Sequence, residues 1–163
     1  MQRSSFGESR CSVAQTLDIL GDSWTPLVLR DVALGISRFD AIQRNLGLSR
    51  KVLAQRLLAL VDHQVVMRTA YQQAPVRYDY RLTDKGKDLA LVLLAMQQFA
   101  DKWVFGVDNA PVVWQHLTCG ERSNPAFVCD KCGEPIGPDD VLPAPGPGFD
   151  GSQNPELTAL LVG

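Results

Sequence analysis

Between residues 11 and 106 the apolar positions recur first with helical spacing, then in short β-branched and aromatic runs, then with helical spacing again. Val13, Leu17 and Leu20 predict a short first helix that stops at Gly21-Asp22. Ser23 is placed to cap a second helix with Pro26 in its first turn, Leu27, Val28 and Val32 facing inward, and an end near Gly35. Phe39, Ile42 and Leu46 give a third helix with Asp40, Gln43 and Arg44 toward water. A fourth, over about 50–62, puts Leu53, Leu57, Leu60 and Val61 on one stripe. Arg50, Lys51, Gln55 and, at the edge, Arg56 lie outside that stripe.

The third and fourth helices meet in Leu46-Gly47-Leu48-Ser49, a tight turn. Gly47 can take the left-handed conformation that ends a helix, and the Ser49 hydroxyl can cap the orphan amides of the next one. Val65–Tyr71 and Tyr78–Leu82 then read as strands around the loop 72–77, whose Pro75 suits a turn and whose Arg77 lies near the tip. Helices followed by a basic helix-turn-helix and a hairpin predict a mainly α fold with a small β wing, a winged helix. In that architecture one helix enters the DNA major groove while the wing reaches phosphate or the minor groove. Ser49, Arg50, Lys51, Gln55 and Arg56 are candidates near the groove; Arg38 and Arg77, at a helix start and a loop tip, are candidate phosphate contacts. Any one of these cations read alone is as well explained by an ordinary solvated helix face, and some winged helices bind only protein. The constellation carries the DNA-binding reading.

Thr83 is placed to cap a long fifth helix to about Trp103, within which Leu89 to Met96 is apolar around the whole circumference. A domain of this size has little core to spare for it, so the expectation is burial against a second copy, a homodimer with two symmetric reading heads. After Gly106 helical periodicity disappears and Pro, Gly and Cys become frequent. The expected organisation is a polar arm over 1–10, a winged-helix and dimerisation domain over 11–106, a small Cys-rich, zinc-ribbon-like subdomain over 107–142, and a Pro/Gly-rich tail over 143–163.

Charge sharpens this division. The 163 residues carry a formal net charge of −2, yet residues 1–104 hold 14 Lys+Arg against 10 Asp+Glu, and the remainder 2 against 8. Positive charge is concentrated where the helix-turn-helix lies. With no apolar run of membrane-spanning length and no signal-peptide pattern near Met1, a cytoplasmic location is expected, with Cys11, Cys119, Cys129 and Cys132 mostly reduced.

His116-x2-Cys119 and Cys129-x2-Cys132 are two close pairs separated by nine residues, able to fold back into one tetrahedral set. Zinc suits such N/S ligands, and four protein ligands leave no open position, so the expected role is structural. Alternatives are a Cys129–Cys132 redox pair, or three buried thiols and a surface histidine with no metal. A metal- or redox-dependent enzyme built on these cysteines is the competing function class. Against it, no Ser/His/Asp set, phosphate-cradling glycine loop or paired carboxylates beside a histidine are found, and His63 reads as a solvated turn-end residue.

Cys11-Ser12-Val13-Ala14, Leu20-Gly21-Asp22-Ser23-Trp24, Leu27 to Leu29, Gly35, Arg38-Phe39, Leu48-Ser49 with Leu53, and Pro75 to Thr83 with Gly86 together resemble the HxlR-type winged-helix transcriptional regulators of bacteria. The resemblance covers 11 to about 103 and departs from the family pattern at Thr25-Pro26. It implies a dimer formed by the first and last helices of the core, bound to an inverted-repeat operator. It also implies a role for Cys11, because some members sense oxidants or electrophiles with a cysteine here. The position just before a helix, where unpaired amides attract negative charge, suits a reactive thiol, though a small residue packing the helix start is the plainer reading. No effector ligand is identifiable from the residues.

Overall fold

The computed structural model describes residues 6, 8–149, 151 and 155–162, in two compact units, 1–110 and 111–163. Most of the polar arm, residues 1–5 and 7, lies outside the described residues, as do 150, 152–154 and 163 of the tail. Among the described residues no helix is long and apolar enough to cross a membrane.

The first unit opens with α1 (Ser12–Leu20), ended by Gly21 at φ 76, whose N–H reaches the Leu17 carbonyl. Gln15 donates back to the Phe6 and Ser9 carbonyls and holds the preceding chain on the helix. Within one chain α1 buries Leu20, whereas Val13 and Leu17 are 68% and 51% exposed, so much of its apolar stripe is uncovered. In α2 (Trp24–Ala33) the cap is Asp22, not Ser23: its Oδ1 accepts from the Trp24 and Thr25 amides at 3.1 and 3.2 Å. Ser23 sits at φ −61, ψ −19, already helical, and lacks the extended backbone from which a capping side chain reaches forward.

Helix α2 packs against α3 (Phe39–Leu46), α4 (Arg50–Asp62), α5 (Asp84–Ala100) and β2 (Val76–Leu82), which is why Leu29 is buried beside Val28 and Val32, beyond the single stripe expected from spacing. Leu27 is half-buried. Ile42, Leu53, Leu57, Leu60, Val65 and Val66 complete the centre of the core. Asp31 is also fully buried, with Oδ1 taking Arg30 at 2.7 Å and Oδ2 taking Asn45 Nδ2 at 2.8 Å. A buried carboxylate costs stability unless it is so satisfied, and these bonds register α2 against α3.

Strands β1 (Val66–Gln73) and β2 pair antiparallel, with an irregularity at Tyr71. Gln73 pairs with Val76, so the loop expected over 72–77 shrinks to Ala74-Pro75. A proline at the turn withholds no amide the ladder needs, and the flanking residues stay in strand. Ser37 and Arg38 add a third edge that spacing did not reveal: Tyr80 N–H donates to Ser37 at 2.8 Å and Arg38 bridges Asp79.

Thr83 caps α5, its side chain accepting from Gly86 N–H at 3.1 Å. Gly86 lies under the base of the wing, where a Cβ would stand 2.1 Å from the Val65 carbonyl oxygen. Leu89 is buried, but Leu91, Met96 and Phe99 are exposed, and the helix runs into a single π turn, Asp101–Phe105, with Trp103 and Val104 also exposed.

The second unit contains the short pair β3 (Trp114–Gln115) and β4 (Arg122–Ser123), and α6 (Pro155–Val162). No residue over 111–149 is buried.

Candidate nucleic-acid interface

The turn between α3 and α4 is built as its residues dictate. Gly47 is left-handed at φ 65, ψ 19, its N–H bonds to the Gln43 carbonyl, and the Ser49 side chain accepts from Val52 N–H at 3.3 Å. Ser49 therefore acts on the helix start. Leu53, Leu57 and Leu60 bury one side of α4, and Arg50, Lys51 and Gln55 are exposed on it.

Between α3, the start of α4 and the wing runs a groove of about 520 Å³ lined by Arg38, Arg44, Arg50 and Arg77, with Asp40 and Tyr71 among its other walls. Arg50 bonds to Asp40 at 2.8 Å and to Gln43 at 3.3 Å, with its guanidinium 4.9 Å over the Phe39 ring. Arg38 lies 3.6 Å from Asp79 and 4.7 Å over Tyr71. These contacts fix the aim of long side chains that would otherwise lose rotamer freedom on binding a ligand. The hydrogen bond from Arg50 holds the Asp40 carboxyl below the usual carboxylate range, helped by the charges of Arg50, Arg77 and Arg44. Four guanidiniums against two carboxylates, Asp40 beside Arg50 and Asp79 beside Arg38, leave the groove a net cation, able to take phosphates.

Spacing along the helices did not reveal Arg44 and Tyr71 as members of this groove. Arg44 read as a water-facing residue of α3, and no local signal shows that the wing folds over that face. Arg56 differs in the other direction. Instead of projecting from the edge of α4 toward a groove, it is half-buried and ion-paired with Asp22, tying α4 to the start of α2. Its Nε is buried without a hydrogen-bond partner. The position at the rim of the apolar stripe lets the side chain fold inward as easily as outward, and the carboxylate decides.

Cys11 is exposed at the N-cap position of α1, where it gives no side-chain cap. In the second unit His116 Nδ1 stands 3.3 Å from Cys119 Sγ, and the Cys132 thiol and the backbone amides of Cys132 and Lys131 contact the Cys129 sulfur. Among the described residues no three of His, Cys, Asp or Glu gather within reach of one ion, so each pair is formed but the two are apart.

The sequence profile of the HxlR-like helix-turn-helix proteins matches residues 19–107, which span the whole turn, wing and α5. The chain belongs to the HxlR-like helix-turn-helix family. Among HxlR-like relatives, the HTH-type transcriptional regulator Rv3095 of Mycobacterium tuberculosis, uncharacterised in function, is 39% identical over 138 residues, covering 85% of this chain and 87% of its own. The crystal structure of PA1607, described as a candidate transcription factor, superposes with a TM-score of 0.73 at 32% identity, over 85% of this chain and 97% of the other. The redox regulator HypR in its reduced form gives 0.51 at 26% identity, over 56% of this chain and 91% of HypR. The protein is thus a helix-turn-helix transcriptional regulator of the HxlR-like family, with the winged-helix fold expected from its residues.

Proposed function

We propose that this HxlR-like protein acts as a homodimer that binds an inverted-repeat DNA operator, with α4 in the major groove and the wing on the flanking backbone. The observation that carries the reading is the groove bearing four arginines between α3, α4 and the wing. Arg38, Arg44 and Arg77 serve phosphates, while Lys51 and Gln55, exposed one helical turn apart, face base edges. Arg50 stands at the boundary, where it can exchange Asp40 for a phosphate. The role is binding rather than catalysis, in the cytoplasm with the chromosome.

The uncovered apolar residues of α1 and α5 support the dimer. Val13, Leu17, Met96 and Phe99 are each more than half exposed, and Val13, Leu17 and Met96 line one cleft of about 820 Å³ with Phe6 and Val92. Surfaces of this kind on one protomer are expected at an interface. Cys11 opens α1 beside that surface, and we assign it the response to thiol-reactive compounds: a modified thiol there changes the packing of the paired helices. HypR, a redox regulator by name, supports that reading by likeness.

Anisotropy titrations of labelled duplex from the region upstream of the gene test the central claim. Binding of two protomers per site with steep salt dependence is expected. Failure to retain any duplex at low salt refutes DNA binding, sedimentation as a monomer refutes the dimer, and unaltered release by diamide in Cys11→Ser refutes the thiol response.

A further inference from the structure

The second unit makes the same six-residue turn twice. In His116-Leu117-Thr118-Cys119-Gly120-Glu121, the His116 amide donates to the Glu121 carbonyl at 2.9 Å and the Gly120 amide to the His116 carbonyl at 2.8 Å. In Cys129-Asp130-Lys131-Cys132-Gly133-Glu134, the Cys129 amide donates to Glu134 and the Gly133 amide to Cys129, both at 2.8 Å. Gly120 and Gly133 turn the chain at φ 75 and 78, a region that a side chain disfavours. One turn is flanked by the β3–β4 pair and the other by a bridge between Val128 and Pro135. Each brings its first and fourth residues, the two potential ligands, to one side.

Nothing apolar accounts for this repetition. No residue from 111 to 149 is buried, Leu117 is 96% exposed, and Phe127 and Val128 are more than half exposed. A segment without a core needs another source of order, and in small domains a bound metal supplies it. The spacing of the first pair fits. Nitrogen and sulfur on one tetrahedral zinc, with bonds of about 2.0 and 2.3 Å, lie about 3.5 Å apart, and His116 Nδ1 and Cys119 Sγ are at 3.3 Å. In the second turn Cys129 and Cys132 hold the same first and fourth places that His116 and Cys119 hold in the first.

We propose that His116, Cys119, Cys129 and Cys132 bind one zinc ion, which draws the two preformed turns together and orders the segment as a zinc ribbon. Three thiols release their protons to solvent and the imidazole binds neutral, so the ion and its ligands carry one net negative charge. All four positions are filled by protein, which makes the site structural. The inference stands apart from DNA binding, since all four ligands lie in the second unit.

The test uses the full chain, purified in reductant without chelator or a metal-affinity step. About one zinc per chain is expected by elemental analysis, together with a tetrahedral visible spectrum and a sulfur-to-metal charge-transfer band when cobalt(II) is titrated into protein stripped of metal. His116→Ala and Cys132→Ser lose that stoichiometry, whereas Cys11→Ser keeps it. Zinc added to the stripped wild type slows amide exchange over 114–136 and leaves 12–105 unchanged, a readout independent of whether any variant folds. Reduced wild type that holds well under one zinc and fails to bind added zinc, an octahedral cobalt spectrum, or full zinc in Cys132→Ser overturns the proposal. So does isolation of a Cys129–Cys132 disulfide that reduction does not convert into a zinc-binding form.

Discussion

Arg50 donates to the Asp40 carboxylate at 2.8 Å across the turn that joins α3 to α4. The pair holds the first cation of the presented helix in the arginine-lined groove, and a phosphate entering that groove competes with Asp40 for it. Asp40→Asn removes a negative charge from the groove and is expected to raise DNA affinity about fivefold at low salt, the effect of one charge at contact distance in a water-like dielectric. Weaker binding of this variant in an anisotropy titration would show that Arg50 is useful only when tied down.

The same pair fixes a pH dependence. Because hydrogen bonding to Arg50 lowers the Asp40 pKa, its contribution to stability is complete above the unfolded value of about 3.9. It is lost as pH falls through the lower folded value. A carboxyl carbon titration by NMR should put the Asp40 midpoint below that of free aspartate, and Arg50→Ala should return it there.

The roles proposed for Gln55 and Arg77 separate recognition from attraction. Arg77→Ala should weaken binding to operator and scrambled duplex alike and reduce the slope of log K against log salt by about 1. Gln55→Ala should leave that slope unchanged and cost about 1–3 kcal/mol on the operator alone. Equal losses on both duplexes for Gln55→Ala would move it to the backbone contacts.

Arg56→Ala tests an assignment on which helical spacing and packing disagree. With its guanidinium on Asp22, its loss should lower stability by about 1–3 kcal/mol in urea unfolding. Arg56→Met, which keeps the buried stem and removes the unpartnered Nε, should cost less. The salt slope of DNA binding should be the same for both variants as for the parent protein.

Gly86→Ala places a methyl group 2.1 Å from the Val65 carbonyl oxygen. Backbone must move to admit it, and overpacking of this severity costs about 3 kcal/mol. A clear drop in Tm is expected, and an unchanged Tm would mean that α5 and the wing slide past each other freely.

The helices were legible because their signals are local. Gly21 and Gly47 end helices by their own backbone freedom, Ser49 and Thr83 cap within three residues, and the stripe of Leu53, Leu57 and Leu60 has the period of its helix. What was illegible depended on neighbours far along the chain. Asp22 displaced Ser23 as the cap through a backbone angle, and Arg56 turned inward because Asp22 waited there. Arg44 joined the groove because the hairpin crosses α3, and Ser37 joined the wing through an amide 43 residues away, that of Tyr80. The loop at Pro75 was overestimated because proline marks a turn without giving its length.

The seat of Gly86 under Val65 gives α5 a mechanical role. With 17 residues the helix is about 25 Å long. Its N-terminal end is pinned at the base of the wing by backbone contact, and its far end carries the exposed Phe99. A rod of that length pivoting through about 10° moves its free end by about 4 Å, while the pinned end passes the rotation to the hairpin with almost no travel. In the proposed dimer, small angular changes in how two such rods lie together would therefore reach the DNA as a change in wing pitch, with the glycine as the fulcrum.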